Sequence, residues 1–442
     1  MRGHRRLMAI VMLASAPATA AEAPPRVALT VGEAVERARA ASASLAQIEA
    51  LGRAAGAERR GAQALRMPSL EIGAAYTRQS DVPELILAFP GQPPRTIFPN
   101  IPDNARFRAA ATMPLYTGGR IGGLAEAARY EQEATGHDLR AGTADLVLET
   151  TSAYWSLVTA REAATVLDHA LAAYDAHLVD ARHRETFGVA ARNEVLAVEV
   201  ERDRAELARL RSENAAALAE ANLVRLLGLP AGTGIDPRDT LDAATATRAE
   251  EHLDALVEAA LSHRAERIAL AARVKAAQAR TRIENAARLP QAGVAAGVDY
   301  ANPNRRILPP EAAWKDSWDV TLNVAWTPFD GGRARAAADR ASARAEAMRL
   351  QLEDLDRRVR LQVTQRVLEL AAARRTVEVA ARGVASSMEN ERVTGDRHRA
   401  GVAASSERLD AEAVRLRAAL DHKDALVQVR LAAAALDRAV GR

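Results

Sequence analysis

The chain contains one sequence module twice, at a constant offset of 213 residues. Segment 113–120, which ends in Thr-Gly-Gly-Arg, reappears one residue shorter as segment 327–333, which ends in Asp-Gly-Gly-Arg. Each copy is followed by a stretch without proline, which the same Gly-Val-Ala tripeptide interrupts near its middle, at 188–190 and at 401–403. Because proline interrupts helices and a repeat at a fixed offset marks repeated architecture, the chain predicts two copies of a strand-plus-long-helix unit.

Long helices are predicted in the intervals between prolines. These intervals are about 30–64, 122–184 with 192–227, 249–288, and 335–398 with 406–440. A helix over 122–184 would be on the order of 95 Å long at ~1.5 Å per residue. Thr30 and Glu33 predict a capping box at the start of the first helix. One later helix face is marked at steps of three and four by Leu352, Leu355, Val359, Val363, Val367 and Leu370.

Four segments alternate between apolar and other residues with the period of a β-strand. Their apolar positions are Leu70/Ile72/Ala74/Tyr76, Phe107/Ala109/Ala111/Met113, Val294/Ala296/Val298/Tyr300 and Trp318/Val320/Leu322/Val324/Trp326. Each segment is close to the ~9–11 residues that a tilted membrane strand needs. Trp318 and Trp326 border an aliphatic band, which is the pattern of a lipid-interface girdle. A half-buried sheet in a soluble protein would show the same period.

Four strands in two hairpins cannot close on themselves, and a sheet with open edges cannot lie in lipid. Two chains would supply eight strands, whose interior is filled by side chains, whereas three chains would supply twelve strands and leave a lumen. If the sheet lies in a membrane and encloses a pore, three copies are the smallest adequate number.

The first twenty residues have the layout of a cleaved secretory signal. Arg2, Arg5 and Arg6 precede an apolar run over 7–16, and small residues at 18–20 offer a cleavage site. The chain has no cysteine, so we expect an exported protein that is not lipid-anchored through an N-terminal cysteine. Removing the three arginines brings the formal charge of +3 to zero, and no basic face for nucleic acid stands out.

In combination, these motifs resemble those of the TolC-type outer-membrane efflux proteins. The resemblance rests on segments 114–120 and 328–333, on Leu227-Gly228-Leu229-Pro230 and on the opening helix from Leu29 to Ala38, and it covers about 27–442. It implies a mixed α+β, mainly α fold, in which a long antiparallel α-helical barrel joins a transmembrane β-barrel of four strands per chain. It further implies a homotrimer with twelve strands in the outer membrane of a Gram-negative bacterium. Its implied partners are a periplasmic adaptor (membrane fusion) protein and an inner-membrane transporter.

On this resemblance, four parts of the chain are expected. Residues 1–20 are the signal peptide. Residues 21–229 form the first repeat, with a helix, a β-hairpin over 69–115 and long helices over 120–227. Residues 230–248 form an equatorial linker. Residues 249–442 form the second repeat, with a helix, a hairpin over 291–327 and long helices over 333–440.

Two acids after the second helix–helix turn are candidate gate residues. Glu407 and Asp410 are three apart and share a helix face. By resemblance they match paired acids that form carboxylate rings at a periplasmic gate and select cations. The same acids would also suit the first turn of a helix, with Ser405 or Ser406 as its cap. The candidate partners of the acids are Arg392, Arg397, Arg399 and Arg408.

Glycine-containing turns form a second group of candidate residues. By resemblance, the helix–helix turns are tips that contact the adaptor: Gly188, Val189, Ala190, Gly401, Val402 and Ala403. Glycine in such a turn indicates a positive φ, which a turn without any partner would need equally. The strand-to-helix turns contain Pro114, Gly118, Gly119, Pro328, Gly331 and Gly332. They lack the lysine and the serine or threonine of a phosphate-binding loop.

The loop of the first hairpin, about 79–104, departs from its counterpart in the second repeat. The span from Pro68 to Pro114 is 46 residues, against 38 from Pro290 to Pro328. The loop is rich in proline and carries Leu85, Ile86, Leu87, Phe89, Ile97 and Phe98. Packing over the mouth of a barrel and disorder would both be compatible with this composition.

Enzyme signatures are absent, since the sequence contains neither His-Glu-x-x-His nor Gly-x-Ser-x-Gly. We therefore expect no catalytic residue, no cofactor and no metal. The leading interpretation is a passive outer-membrane channel-tunnel of a tripartite efflux system that exports small molecules. The alternatives are a type I protein-secretion channel and a pore-less periplasmic coiled-coil protein. The residues do not distinguish drugs, metals and polypeptides as cargo.

Overall fold

The computed structural model describes residues 26–241 and 252–442, so the expected signal peptide and residues 242–248 of the expected linker lie outside the described residues. The helices are α1 Val31–Ala41, α2 Ala43–Ala64, α3 Arg120–Thr186, α4 Arg192–Leu226, α5 Leu253–His263, α6 Ala265–Ala286, α7 Arg333–Arg399 and α8 Ser405–Val440. The strands are β1 Arg26–Leu29, β2 Ser69–Arg78, β3 Leu85–Leu87, β4 Arg95–Phe98, β5 Asp103–Tyr116, β6 Gly234–Pro237, β7 Gln291–Asn302 and β8 Lys315–Ala325. The predicted mixed and mainly helical fold class is confirmed.

The two-repeat organisation is confirmed as well. Helices α3 and α7 begin at Arg120 and Arg333, and each contains 67 residues. Helices α4 and α8, which follow them, contain 35 and 36 residues. A helix as long as α3 extends on the order of 100 Å. Such lengths are possible because alanine, leucine, arginine and glutamate favour helix and no proline interrupts these stretches.

Each of the four long helices ends in the same glycine motif. Gly188, Gly228, Gly401 and Gly441 have φ of +71°, +62°, +76° and +88°. The amide that follows each glycine donates to the carbonyl five residues earlier, as in the bond from Val189 to residue 184 at 2.8 Å. This pair of features defines the Schellman motif, in which a left-handed glycine satisfies carbonyl groups at the helix end.

Two predicted helical blocks are each broken once, which the sequence analysis did not anticipate. The block over 30–64 is interrupted at Ser42, whose hydroxyl accepts a hydrogen bond from the Leu45 amide at 3.3 Å. The block over 249–288 is interrupted at Arg264. Both positions lie beside a helix-ending glycine. A β-carbon on Gly228 would lie 2.7 Å from that of Ala41, and one on Gly441 would lie 3.1 Å from the Arg264 amide nitrogen.

The capping box predicted at the first helix is confirmed. The Thr30 amide donates to Oε2 of Glu33 at 2.8 Å, and the Glu33 amide donates to the Thr30 hydroxyl at 3.3 Å. The Thr30 amide and the Thr30 hydroxyl both donate to the Glu33 carboxylate. These two bonds favour the charged form and hold the pKa of Glu33 below its usual value.

The four long strands form one antiparallel sheet in the order β2-β5-β7-β8. The two hairpins of the repeats, β2-β5 and β7-β8, are joined by pairing between β5 and β7, with Ala109 opposite Val298. Strands β2 and β8 are the edges of this sheet. Each repeat therefore contributes one hairpin, and neither hairpin forms a sheet alone.

A small parallel sheet was not predicted from the sequence. Strands β1 and β6 pair from Arg26 with Gly234 onward. The buried Tyr154 of α3 holds them, because its hydroxyl donates to the Leu29 carbonyl at 3.0 Å and accepts from the Asp239 amide at 3.2 Å. Burial raises the pKa of Tyr154, so its hydroxyl stays protonated over the physiological range.

The proline-rich loop over 79–104 contains its own short hairpin. Strands β3 and β4 pair antiparallel, with Leu85 opposite Phe98 and Leu87 opposite Arg95. The side chains of Leu85, Phe89 and Phe98 are exposed in the single chain. The loop therefore has regular structure over β3 and β4, and its contact with a barrel mouth stays a prediction.

The described residues form two compact units, each with its own core. The first contains 26–41, 149–241 and 379–427, and the second contains 42–148, 252–378 and 428–442. The core of the first unit includes Tyr174, Leu178, Val195, Val198 and Leu409. The core of the second unit includes Leu256, Val359, Val363, Leu370, Leu436 and Val440, so three residues of the predicted apolar face of α7 are buried. Within the described part of the chain, no helix has both the length and the apolar character to cross a bilayer.

The glycine that ends α4 provides a test of this packing. In Gly228→Ala, the new β-carbon would have to occupy a left-handed backbone position and crowd Ala41. We expect the free energy of unfolding to fall by about 2 kcal/mol, since the left-handed conformation alone costs ~1–2 kcal/mol for a residue with a β-carbon. The matched control is Gly136→Ala in α3, where the added carbon meets nothing, and ~1 kcal/mol of stabilisation is expected. Thermal unfolding followed by circular dichroism measures both, and equal shifts would contradict the prediction.

Candidate functional site

The register of the four-stranded sheet places all four predicted apolar sets on one face. Residues paired directly across strands share a face. Ile72 pairs with Ala109, Ala109 with Val298, and Val298 with Trp318. The large side chains of this face are exposed in the single chain, at 76% for Ile72, 71% for Trp318 and 67% for Leu322. A continuous exposed apolar face of this kind marks a surface for a membrane or a partner.

Aromatic side chains lie at both ends of that face. Trp326 follows β8, and its Nε1 donates to a backbone carbonyl just before β7 at 3.2 Å. At the hairpin-loop end, near Trp318, the ring of Trp314 stacks on Tyr300 at a centroid distance of 4.9 Å and lies 5.7 Å from that of Phe107. The sequence analysis missed Trp314 because it lies in a loop, outside the alternation. The available signal for an aromatic cluster at this end was the presence of Phe107 and Tyr300 in two of the predicted strands.

The opposite face of the sheet is polar. On β8 it carries Asp319, Thr321 and Asn323, as the alternation predicts, and on β5 it carries Arg106 and Arg108. The two arginines were not predicted as site residues, because only the apolar positions of β5 follow the alternation. A sheet with one apolar and one polar face matches the wall of a membrane barrel that encloses water.

The strand-to-helix turns have the same backbone geometry in both repeats. Gly118 and Gly119 have φ of +59° and +89°, and Gly331 and Gly332 have φ of +70° and +87°. Their surroundings differ. A β-carbon on Gly118 would lie 2.9 Å from the Ala286 carbonyl oxygen, whereas one on Gly331 would meet no atom of the described residues beyond its chain neighbours within 4 Å. The prolines of the motif precede these glycines, and Pro114 lies at a register irregularity of β5. A proline suits such a position because it has no amide hydrogen to donate.

The residue before each glycine pair interacts with the start of the following helix. The Asp330 carboxylate accepts hydrogen bonds from the amides of Gly332 at 3.0 Å and Ala334 at 2.8 Å. The equivalent residue of the first repeat, Thr117, accepts from the Ile121 amide at 3.4 Å. A side-chain oxygen at this position satisfies amides that have no partner within the helix.

The two helix–helix turns lie next to each other within the first compact unit. The Ser405 hydroxyl donates to Glu194 Oε2 at 2.8 Å, and Arg184 Nη1 lies 3.3 Å from His398 Nε2. Gly188 and Gly401 have the positive φ that the sequence predicts, and none of the described residues crowds either glycine. The exposed apolar residues of the turns are Phe187, Val189 and Val402. The turns therefore form one continuous surface with apolar side chains at its tip.

The two candidate gate acids differ in their contacts. Glu407 Oε2 lies 3.2 Å from Arg397 Nη1, and its Oε1 accepts from the Ala404 amide at 3.4 Å. Asp410 is exposed and makes no ion pair with any residue of the described segments. The expected serine cap is wrong, because α8 begins at Ser405 itself and the Ser405 hydroxyl donates to Glu194. Glu407 thus supports the start of α8, whereas Asp410 is free to act in another role.

Among the described contacts, only one of the four candidate arginines meets a gate acid. Arg397 contacts Glu407, whereas Arg392 contacts Glu389 and Asp396 and Arg399 contacts Asp396. The fourth, Arg408, contacts Glu412 through Nε at 3.1 Å and hydrogen-bonds His177 Nε2. The other three arginines thus pair with acids about one helical turn away on their own helix.

The contacts of Arg408 belong to a buried network that the sequence analysis missed. His177 Nδ1 lies 3.1 Å from Glu412 Oε2, and the Glu412 side chain is only 10% exposed. His177 and Glu412 come from different repeats, so their sequence separation hides the contact. Among residues 26–241 and 252–442, no group of three histidine or acidic side chains could hold a metal ion.

A family model described as "Outer membrane efflux protein" matches residues 34–229 and 256–442 of the chain. No curated protein matches the sequence. Three solved structures have a similar fold, and each of them covers 93% of this chain.

A membrane protein from Pseudomonas aeruginosa is 22% identical, with a TM-score of 0.80 over 92% of its own chain. The outer membrane protein VceC from Vibrio cholerae is 19% identical, with a TM-score of 0.77 over 96% of its chain. The MtrE outer membrane channel of Neisseria gonorrhoeae, in its open state, is 18% identical, with a TM-score of 0.76 over 88% of its chain. At these identities the likeness establishes the fold.

Two neighbouring acids of α8 can be compared to test whether Glu412 stabilises the fold and Asp410 does not. In Glu412→Ala, Arg408 and His177 lose a partially buried partner, so we expect the free energy of unfolding to fall by about 2 kcal/mol. In Asp410→Ala, no contact within the described residues is lost, and a change within ~0.5 kcal/mol is expected. Denaturant unfolding of the detergent-solubilised protein measures both. Equal losses would show that the network around Glu412 contributes nothing beyond a surface charge.

Proposed function

Since this chain belongs to the outer membrane efflux protein family, and is thus an outer-membrane efflux channel, we propose that three copies form its passive conduit. The conduit receives small molecules from the periplasm or from an inner-membrane pump and releases them outside. Energy would come from that pump, and the glycine turns of this chain have no phosphate-binding motif of their own.

The observation that carries this proposal is a sheet with a band of exposed apolar side chains on one face and two open edges. In hydrocarbon, an unpaired strand edge leaves amide and carbonyl groups without partners, at a cost of several kcal/mol per group. The edge strands β2 and β8 of neighbouring chains would satisfy each other. Three chains would close twelve strands around a lumen. The apolar face also favours this conduit over a pore-less periplasmic coiled-coil protein, which would have no use for it.

Aromatic residues at both ends of the apolar face would anchor the sheet in the bilayer. Trp318 with Trp314 would lie at one interface, and Trp326 at the other. Tryptophan suits an interface because its ring is apolar while its indole nitrogen donates a hydrogen bond. The hydrogen bond from Trp326 Nε1 to a backbone carbonyl supports this orientation.

The joined helix–helix turns would contact a periplasmic adaptor protein. Their tip carries Val189 and Val402 in exposed positions beside Gly188 and Gly401. Glycine keeps the turns narrow, and the exposed valines would be covered on docking. The adaptor would connect the conduit to an inner-membrane transporter.

The conduit would close through Glu407 and Asp410. Three copies of the free Asp410 carboxylate around one axis would attract cations, while the contact of Glu407 with Arg397 would act as an ionic latch. The first repeat has Glu194 in place of Glu407 and Ala197 in place of Asp410. The acid pair would therefore come from the second repeat alone, giving three pairs per trimer.

Edge pairing between chains can be tested by cross-linking, because the chain has no cysteine. We expect the double variant Ala74→Cys/Val320→Cys, with one thiol on each edge strand, to give covalent trimers with a short thiol-reactive linker. The matched control is Ala111→Cys/Ala296→Cys, two positions directly opposite within one chain, which should cross-link as monomers. Gel electrophoresis of outer membranes separates the products. Products no larger than dimers from the edge variant would contradict the trimer.

The gate is tested by Glu407→Gln/Asp410→Asn, in which the new amide side chain at position 407 keeps an acceptor for the Ala404 amide. A cation close to a carboxylate gains ~1 kcal/mol even in bulk water, so we expect the cation-to-anion permeability ratio to fall by about fivefold or more when the acids are neutralised. Loss of the contact with Arg397 should also raise single-channel conductance. Both quantities are measured in planar bilayers under a salt gradient.

The control for the gate is Glu346→Gln/Glu353→Gln, which removes two charges that contact Arg349 on α7. This control should conduct like the wild type. If the gate variant also conducted like the wild type but unfolded at a lower temperature, the two acids would serve only the start of α8.

A further inference from the structure

A charged cluster lies on the polar face of the sheet, close to its hairpin-loop end. It consists of Arg106 and Arg108 on β5, Asp299 on β7 and Asp319 on β8, with Arg306 from the loop that joins β7 to β8. Asp299 is directly opposite Arg108 in the sheet. The cluster lines a cavity of about 470 Å³.

Asp299 holds both strand arginines in place. Its Oδ1 lies 2.5 Å from Arg106 Nε, and its Oδ2 lies 2.5 Å from Arg108 Nη1. Arg108 Nη2 also lies 3.3 Å from Asp319 Oδ1. The Asp299 side chain is only 9% exposed, whereas the Arg106 side chain is 53% exposed. The carboxylate is therefore enclosed by its partners, while a guanidinium group that has satisfied only part of its donors faces the cavity.

The sheet makes room for this arrangement. A β-carbon on Gly297 would lie 2.7 Å from Arg108 Nη2, so the absence of a side chain at 297 lets the guanidinium lie flat against β7. The loop after β7 is anchored as well, because Asn304 is buried and its amide donates to the Lys315 carbonyl at 3.1 Å and to the Ser317 hydroxyl at 3.0 Å. That anchoring positions Arg306, which donates to the Trp318 carbonyl.

The charges of the cluster do not cancel. Three arginines of the cluster stand against two aspartates, and Arg305 also lines the cavity, so each chain lines it with more positive than negative charge. The two acids are largely buried, whereas the guanidinium groups of Arg106 and Arg306 are half exposed. The surface that a solute meets is therefore more positive than the net charge of the cluster. Guanidinium groups held in a fixed orientation match the geometry of carboxylates and other oxyanions, because two parallel N–H groups can donate to two oxygens.

We propose that this cluster is an anion-binding site on the inner wall of the conduit, which takes solutes carrying a carboxylate or another oxyanion group. The inference rests on the proposed function, which makes the polar face of the sheet the wall of a water-filled lumen. Three copies would form a positive belt around the lumen, and the low-dielectric protein wall would focus the field on passing anions. Lipid head groups cannot be the ligand there, because lipid contacts the opposite face. The belt would give the outer part of the path an attraction for anionic cargo.

Citrate, a soluble tricarboxylate, serves as the probe, and its block of single-channel conductance in planar bilayers serves as the measurement. The variant Arg106→Gln/Arg108→Gln should raise the half-blocking citrate concentration about tenfold, as expected for the loss of a charge-assisted hydrogen bond. The permeability ratio should shift towards cations. The single variant Arg106→Gln, which leaves the Arg108–Asp299 contact in place, should show a smaller change in the same direction. It keeps the test valid if the double variant does not assemble.

Asp299→Asn distinguishes an anion site from a purely structural ion cluster. Removing this carboxylate leaves the arginines uncompensated, so citrate should block at a lower concentration and the permeability ratio should shift towards anions. If the cluster were only structural, the arginine variants and Asp299→Asn would all lose stability. Asp299→Asn would then not shift the permeability ratio in the direction opposite to the arginine variants.

The matched control is Arg280→Gln/Arg282→Gln, two arginines of α6 that contact Glu131 and Glu126 of α3. This control removes the same number of positive charges at a place away from the sheet. Its half-blocking citrate concentration should equal that of the wild type. Conducting channels whose citrate block is unchanged in both Arg106 variants would overturn the anion site and leave the conduit standing. A wild-type protein that forms no channel at all would overturn the conduit, and with it the lumen that the site requires.

Discussion

Backbone hydrogen bonds between β5 and β7 join the first repeat to the second in one sheet. Their register puts Ala109 opposite Val298 and Arg108 opposite Asp299. A slip by one residue would reverse the faces of one hairpin relative to the other. It would place arginines among the tryptophans and valines and leave Asp299 without its partners. The apolar face, the aromatic ends and the charged cluster on the polar face therefore depend on this one pairing.

The repeats share their backbone geometry more closely than their side-chain contacts. Four helices end in the same glycine motif, and both strand-to-helix turns have two consecutive glycines with positive φ. Around this common backbone the contacts differ. Gly118 is crowded while Gly331 is open, and Asp410 has alanine as its equivalent in the first repeat. A backbone that only glycine adopts without strain tolerates little variation, whereas exposed side chains around it can diverge.

Ion pairs are numerous on the helices, and many of them join exposed side chains at a spacing of three or four residues. Such pairs contribute little to stability, typically ~0–1 kcal/mol each. The pairs that define sites are different, because they join distant parts of the chain and enclose a carboxylate. Asp299 between two arginines and Glu412 beside His177 are of this second kind. Both carboxylates are shielded from water, which strengthens their contacts.

The sequence by itself determined the features that depend on neighbouring residues. Periodicity and proline-free intervals predicted the long helices to within a few residues, alternation predicted the four long strands and their apolar face, and glycine predicted the positive φ of the turns. The tertiary structure alone decided which distant residues meet. No local pattern connects the residues that meet where β1 pairs with β6, where Trp314 stacks on Tyr300 or where the arginines find their partners. The helix breaks at Ser42 and Arg264 were likewise not apparent from the sequence. An arginine has several acids within reach of its long side chain, and only the folded backbone selects one of them.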